Sequence, residues 1–266
     1  IKNLSLKTIK QTSINFPSLP EQQKIANFLT QVDRKIELLD KQQAALEQYK
    51  KGVMQKIFNQ KVRFKIKNEA GELVEPPDWE EKKLGEIFFS KRGKGISKDQ
   101  LNDNGQYKCI LYGELYTTYN EVISDIKSKT DFDDGILSKE NDLLIPSSTT
   151  TTGIDLANVT ALNIPKIRLG GDTIILRSNE EINNVFYAYY LSNHKRLEIA
   201  RRAQGITIVH LYFSGIESIK IDLPSLQEQT KIANFLSAID TKIETVAERS
   251  RSHRKWKKGL LQKMFV

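Results

Sequence analysis

The stretch Pro17-Ser18-Leu19-Pro20-Glu21-Gln22-Gln23-Lys24-Ile25-Ala26-Asn27-Phe28-Leu29 returns 207 residues later as Pro224-Ser225-Leu226-Gln227-Glu228-Gln229-Thr230-Lys231-Ile232-Ala233-Asn234-Phe235-Leu236. The register holds without a gap through Asp33/Asp240, Lys35/Lys242, Ile36/Ile243 and Glu37/Glu244, then Lys50-Lys51-Gly52/Lys257-Lys258-Gly259, Gln55-Lys56/Gln262-Lys263 and Phe58/Phe265. Of the 42 positions aligned from Pro17, 21 are identical, far beyond chance, so the chain contains an internal duplication. Each copy reads as one long helix. Ser18 with Glu21, and Ser225 with Glu228, have the spacing of a capping box. Pro20 falls in the first turn, where its missing N–H costs nothing.

Both helices carry a coiled-coil seam. Ile25, Leu29, Val32, Ile36, Leu39, Leu46, Val53 and Ile57 recur at alternating four- and three-residue steps, interrupted at Gln43 and Lys50. The second copy repeats the seam with Ile232, Leu236, Ile239, Ile243, Val246, Leu260 and Met264, and loses it at Ser250, His253 and Lys257. A helix of roughly 40 residues is about 60 Å long and needs a partner along it. A duplicated surface tends to be self-complementary, so the two copies are expected to pack on each other, antiparallel or about a pseudo-two-fold axis. The competing reading is that each stripe is one wall of a larger core.

The chain has 266 residues, 39% hydrophobic and 28% charged, enough to bury a core, and no run nears the roughly 18 apolar residues of a membrane span. A soluble, cytoplasmic protein is expected. Ile1-Lys2-Asn3-Leu4-Ser5-Leu6 has neither an apolar leader nor an initiator methionine, and reads as a start within a longer protein. Cys109 is the only cysteine, which excludes an intramolecular disulfide and a Cys-based zinc site. The net charge of +8 invites a nucleic-acid reading, yet it is unevenly spread. Basic against acidic residues number 14 and 8 over 1–77, 18 and 21 over 78–223, and 9 and 4 over 224–266. The middle is slightly acidic, so any DNA contact there must come from local clusters.

Between the helices the pattern changes. Val62, Phe64 and Ile66 alternate with Arg63 and Lys65, and Asn68-Glu69-Ala70-Gly71 turns before Leu73 and Val74, which reads as a linker or hairpin over 61–77. Pro76-Pro77-Asp78 marks a boundary. Strand-like runs follow at Cys109–Tyr112, Asp142–Pro146 and Thr173–Leu176, and a helix is predicted over Val185–Arg202 with Phe186, Tyr189, Tyr190, Leu197 and Ile199 on its apolar positions. The predicted class is α+β: a globular domain of mixed and antiparallel strands over 78–223, flanked by long helices at 17–60 and 224–266 that pair as an antiparallel coiled coil.

A strand-rich domain followed by a Pro-Ser-Leu-x-Glu-Gln-x-x-Ile-Ala-x-Phe-Leu helix, the helix present twice, resembles the specificity subunit of type I restriction–modification systems. Pro77-Asp78-Trp79-Glu80, Lys83-Leu84-Gly85-Glu86-Ile87, Tyr112-Gly113-Glu114-Leu115-Tyr116-Thr117 and Gly205-Ile206-Thr207 agree with it. Such subunits carry two recognition domains. Here Leu4, Leu6, Ile9 and Ile14 align at the same spacing with Leu211, Phe213, Ile216 and Ile221, so residues 1–16 resemble the end of a preceding recognition domain. The resemblance implies a non-catalytic subunit that reads one half of a bipartite site in double-stranded DNA, with helices that set the distance between readers. It also implies docking to modification subunits that methylate adenine with S-adenosylmethionine, and to restriction subunits that use ATP and Mg. A half-length form would pair with itself.

No phosphate-binding Gly-x4-Gly-Lys-[Ser/Thr] loop and no metal-spaced Cys/His cluster is present, and His194, His210 and His253 are isolated. Asp78, Glu81 and Lys83 imitate a nuclease constellation but lie too close in sequence to hold a metal from separate strands. Candidate DNA contacts are the basic, glycine-containing run with Lys91, Arg92, Lys94 and Lys98, and the hydroxyl run Ser147, Ser148, Thr149 and Thr150, which equally reads as a polar loop. Tyr112, Tyr116, Thr117 and Tyr119 are candidates that equally read as core. Arg201, Arg202 and Gln204, with Thr207 beyond them, are the preferred site, because arginine and amide groups suit guanine and adenine edges; the plainer role for the arginines is helix-end charge compensation. The cluster Arg249, Arg251, Arg254, Lys255, Lys257 and Lys258 suits an acidic partner or DNA phosphates. A self-contained DNA methyltransferase or nuclease with a coiled-coil arm, and a purely structural scaffold, are the alternative readings.

Overall fold

A computed structural model describes residues 5–11 and 17–264. The aligned positions Leu4, Ile14 and Phe265 lie outside them, as do most of the residues read as the end of a preceding domain. Two compact units are present: residues up to Tyr49 with those from Ile239 onward, and Lys50–Ala238.

The first unit holds most of both long helices, Leu19–Phe58 and Leu226–Met264. Their cross-contacts run in opposite directions along the chain. Phe28 meets Trp256 edge-on with ring centroids 6.0 Å apart, Asp33 accepts from Lys257, and Asp40 accepts from Arg254 and from the Ser250 hydroxyl at 2.7 Å. This is the antiparallel pairing that the seam predicts. Val32, Ile36, Leu39, Ile239 and Val246 are buried in this unit, while Ile25, Leu29, Leu46 and Ile243 are half-buried. At Ser250, where the apolar seam lapses, the hydroxyl takes the buried position and finds Asp40 as its acceptor. Ile232 and Leu236 are wholly buried in the second unit, which also buries Met54, Ile57 and Phe58.

The second unit is a mixed α+β lobe. After the first long helix, β1 (Ile66–Lys67) and β2 (Leu73–Val74) form a hairpin with Ile66 opposite Val74. The chain continues through β3 (Glu80–Lys83), β4 (Phe88–Arg92), β5 (Tyr107–Ile110), β6 (Val122–Ile123), β7 (Ser128–Thr130), β8 (Ile136–Leu137), β9 (Asp142–Pro146), β10 (Ser148–Thr149), β11 (Thr160–Leu162), β12 (Arg168–Leu169), β13 (Thr173–Ser178), β14 (Val209–His210) and β15 (Lys220–Leu223). One sheet has the order β4-β13-β9-β11-β6 and another β7-β5-β12-β8, antiparallel except for β11 with β6 and β12 with β5. Ile110 and Leu169 from the second sheet join Leu144, Leu162 and Ile175 from the first in one core. β3 pairs with β15, Glu80 opposite Leu223, so the lobe's first and last strands lie side by side.

The predicted helix over Val185–Arg202 is broken. It forms Asn184–Tyr189, a π turn at Tyr190–His194, and a short helix Arg196–Ala200. The Asn183 side chain caps the first piece by accepting from Phe186 N–H at 3.1 Å. Phe186 and Tyr190 stack at 5.7 Å and both meet Phe58 and Trp79 edge-on. Packing these rings sets the helix course more strongly than the sequence period does, and Leu197 stays exposed.

The capping-box reading is half right for the second helix. Ser225 Oγ accepts from Glu228 N–H at 3.4 Å, but the Glu228 carboxylate does not turn back to the cap. Fully buried, it accepts from Arg63 Nε at 2.8 Å and Nη2 at 2.9 Å, Trp79 Nε1 at 2.9 Å and Phe64 N–H at 3.2 Å. The guanidinium pair raises the Arg63 pKa above its ordinary value. In both copies the next residue ties the helix start back to the entering chain: Gln22 Nε2 donates to Pro17 O and Gln229 Nε2 to Pro224 O, each at 2.8 Å.

Candidate nucleic-acid interface

Asp172 joins two of the clusters that are separated in sequence, the basic run and the hydroxyl run. The turn Gly170-Gly171-Asp172 links β12 to β13, with Asp172 at φ +57. Its carboxylate accepts from Arg92 Nη2 at 2.7 Å and from Ser148 Oγ at 3.0 Å, and its carbonyl accepts from Ser147 N–H at 2.8 Å. Gly93 is required here: a Cβ would lie 1.9 Å from Gly170 O, so only glycine lets the end of β4 meet this turn.

Beside this junction is a cavity of about 540 Å³ whose lining includes Lys98, Tyr112, Glu114, Thr117 and Asp172. Its acid is internally satisfied, because Glu114 accepts from Leu111 N–H at 2.7 Å and from Ser128 Oγ at 2.6 Å. Tyr116 lines a different, more polar cavity of about 290 Å³ with Asn158 and Arg196. Tyr119 belongs to the core: its hydroxyl accepts from Lys127 N–H, and burial pushes its pKa up to about 12.

The hydroxyl run differs from the exposed loop that its composition predicts. Ser147, Ser148 and Thr149 are buried because β10 pairs with β14, Ser148 opposite His210 and Thr149 opposite Val209. Ser148 and Thr149 are therefore held in the sheet, Ser147 is buried beside it with its hydroxyl unpartnered, and Thr150 alone of the four named hydroxyls is exposed. Thr149 Oγ1 shares a hydrogen bond with Thr151 Oγ1 at 2.7 Å, and Thr151 donates to Asp155.

The same strand pairing brings in the preferred site. Gln204 and His210 exchange backbone hydrogen bonds, Gln204 N–H to His210 O at 2.8 Å and His210 N–H to Gln204 O at 2.7 Å. A Cβ on Gly153 would lie 2.9 Å from Ala200 O, so the threonine loop is pressed against the end of the helix before Arg201. Arg201, Arg202, Gln204 and Thr207 are exposed.

Electrostatics divides the cations. Arg92 is engaged by Asp172 and Lys94 by Asp134 at 3.3 Å; the Gly135 N–H first, and Lys94 second, hold the Asp134 carboxyl below its ordinary pKa. Among the described residues Lys91, Lys98, Arg201 and Arg202 make no ion pair, so their charge is available to an anionic ligand. The terminal basic cluster is partly spoken for within the helix pair: Arg254 binds Asp40, Lys257 binds Asp33, and Arg251 binds Glu244. Sequence reasoning missed Asp172, whose signal was the Gly-Gly-Asp turn, and named His210 and Glu228 without their distant partners Ser148 and Arg63.

The sequence matches the family described as "Type I restriction modification DNA specificity domain" over residues 1–48 and 76–251. The chain is 31% identical over 97% of its length to a protein of Methanocaldococcus jannaschii named as the type I restriction enzyme MjaX specificity subunit, and 28% identical over its whole length to the MjaVIII specificity subunit of the same organism. It covers 59% and 64% of those proteins, about three fifths of their length. Its fold resembles the crystal structure of a type I restriction–modification S subunit from M. genitalium, with a TM-score of 0.61 at 20% identity, covering 99% of this chain and 66% of that one. The HsdS subunit from Thermoanaerobacter tengcongensis is similar with a TM-score of 0.56 at 17% identity, covering 94% and 59%.

Proposed function

The chain belongs to the type I restriction–modification DNA specificity family, and from that premise we propose that it is the DNA-reading, non-catalytic subunit of such a complex, with lobe 78–223 reading one half of a bipartite site. One observation carries this reading: the basic, hydroxyl and Arg-Arg-x-Gln segments, remote in sequence, are tied together through Asp172, the Ser148–His210 strand pairing and the Gln204–His210 bonds. Unpaired Lys91, Lys98, Arg201 and Arg202 can neutralise phosphates, and exposed Gln204 and Thr207 can address base edges. Methyl transfer with S-adenosylmethionine, and ATP- and Mg-dependent cleavage, belong to partner modification and restriction subunits. No described helix is long and apolar enough to cross a membrane.

The duplication supports a second reader. Pro224, Glu228, Gln229 and Ala233 are buried, whereas their counterparts Pro17, Glu21, Gln22 and Ala26 are exposed. Helix Leu6–Gln11 aligns with helix Phe213–Ile216, yet Leu6 and Ile9 are 70% and 57% exposed while Ile216 is fully buried. The start of the first long helix thus carries the surface that seats a lobe in the second copy. In this reading a second recognition lobe covers it, from a longer chain or from another copy of this one.

The test is methylation mapping in cells with the chain intact or deleted. Loss of one bipartite adenine-methylation motif on deletion supports the proposal. DNA cutting or methylation by the purified chain alone would instead favour the self-contained enzyme.

A further inference from the structure

The segment Gln204-Gly205-Ile206-Thr207-Ile208-Val209-His210 is a small hairpin closed by the two Gln204–His210 hydrogen bonds. Gly205 turns it at φ +127, where a Cβ would lie 2.0 Å from Ile208 O, so the tip is tight and its shape is set by the backbone. At that tip Ile206 is 100% exposed and Ile208, two residues on, is about half exposed, while half-exposed Tyr212 stacks on His210 at the closed end. A single exposed apolar side chain needs no explanation, but two on a protrusion of seven residues, one of them wholly exposed at its tip, form a patch.

The surroundings of the patch are cationic. Arg201 and Arg202 precede it without ion pairs, and no acidic residue lies between Ala200 and Tyr212. Its base is tied by β14 to β10, whose Ser148 reaches Asp172 and the Arg92 cluster. An apolar tip that follows two arginines without ion partners suits a polyanion whose interior is apolar, which describes stacked base pairs beneath a phosphate backbone. Proteins that enter a groove this way push an aliphatic side chain between two base pairs, partly unstacking and kinking the duplex.

Building on the DNA-reading role proposed above, we infer that Ile206 is a wedge that enters a groove of the target duplex and unstacks one base step, while Arg201 and Arg202 hold the flanking phosphates. Specificity would then depend partly on how easily that step deforms, in addition to hydrogen bonds to its edges.

The experiment uses the full chain assembled with its modification subunits. Duplexes are selected from a random-sequence library on the wild-type complex, and a fluorescent aminopurine is then placed at each position of the selected half-site in turn. The expected result is a fluorescence rise at one step with wild type, its loss with Ile206→Ala, and its retention with Ile206→Leu. Because Ile206 makes no packing contact to lose, the thermal melt of Ile206→Ala should match wild type. Selection of a sequence without any fluorescence rise, or an unchanged rise in Ile206→Ala, overturns the wedge and leaves the reading role standing. Failure of Ile206→Ala to assemble with the modification subunits overturns it in favour of a protein-docking tip. If the wild-type complex selects no sequence, both proposals fall.

Discussion

Arg63 and Glu228, 165 positions apart in sequence, form a two-point ion pair at 2.8 and 2.9 Å in which the carboxylate is wholly buried. Trp79 Nε1 donates to the same carboxylate, so the linker, the lobe's first segment and the second helix meet at one acid. Removing one member of a buried pair strands the other charge. Glu228→Ala is therefore expected to cost about 3–5 kcal/mol, whereas Glu21→Ala, the same motif position with an exposed side chain, should stay within about 0.5 kcal/mol. Urea unfolding of both variants checks this, and equal losses would refute it.

Arg201→Ala and Arg202→Ala should weaken DNA binding by the assembled complex. If either arginine contacts phosphate, its loss lowers affinity for all sequences and reduces the slope of log affinity against log salt by about 1; if it grips a guanine edge, it relaxes one position of the recognition sequence at about 1–3 kcal/mol. Binding titrations across a salt series separate the two. Unchanged affinity in both variants would remove them from the interface.

Asp40 gives the helix pair a dependence on acid. The Ser250 hydroxyl first, and Arg254 second, hold its carboxyl below the ordinary 3.8. Its folded form is thus more acidic than its unfolded form, so its stabilising contribution is present above 3.8 and is lost as pH falls through that value and below. Thermal melts should show Asp40→Asn less stable than wild type at neutral pH, with the gap closing in acid. A gap that stays constant with pH would contradict the assignment.

Charge reversal separates the roles of the terminal basic residues. Arg254→Glu sets like charge against Asp40 and should loosen the helix pair, while Lys255→Glu, which has no ion partner among the described residues, should leave the melting temperature unchanged. Differential scanning calorimetry of the two variants reads the difference.

Cys109 is fully buried on β5, and burial pushes its thiol pKa up to about 11. It should resist thiol-specific reagents in the native protein and react at the rate at which the lobe opens. Prompt labelling of the folded chain would show that the core is looser than its packing implies.

The long helices and their mutual pairing were legible because the duplication and the apolar period are local properties of the sequence. Glu228 was legible as a residue but not as a partner: its spacing from Ser225 fits a cap, and nothing near it in sequence announces Arg63. Ser148 and Thr149 read as a loop by composition, yet β-branched and hydroxyl residues also suit a strand, and pairing with His210 and Val209 settled the matter. The break at Tyr190–His194 was invisible to a period count because ring packing of Phe186 and Tyr190 decides it. The convergence on Asp172 depends on sheet order, which no local pattern encodes.

The side-by-side placement of β3 and β15 means that the chain leaves the lobe about 4.8 Å, one strand spacing, from where it came in. A segment whose two ends touch can be cut out and exchanged for another of different size without altering the distance its flanks must bridge. Under the proposed DNA-reading role, recombination between Glu80 and Leu223 is therefore a route to a new target sequence in a single step, keeping the paired helices already present.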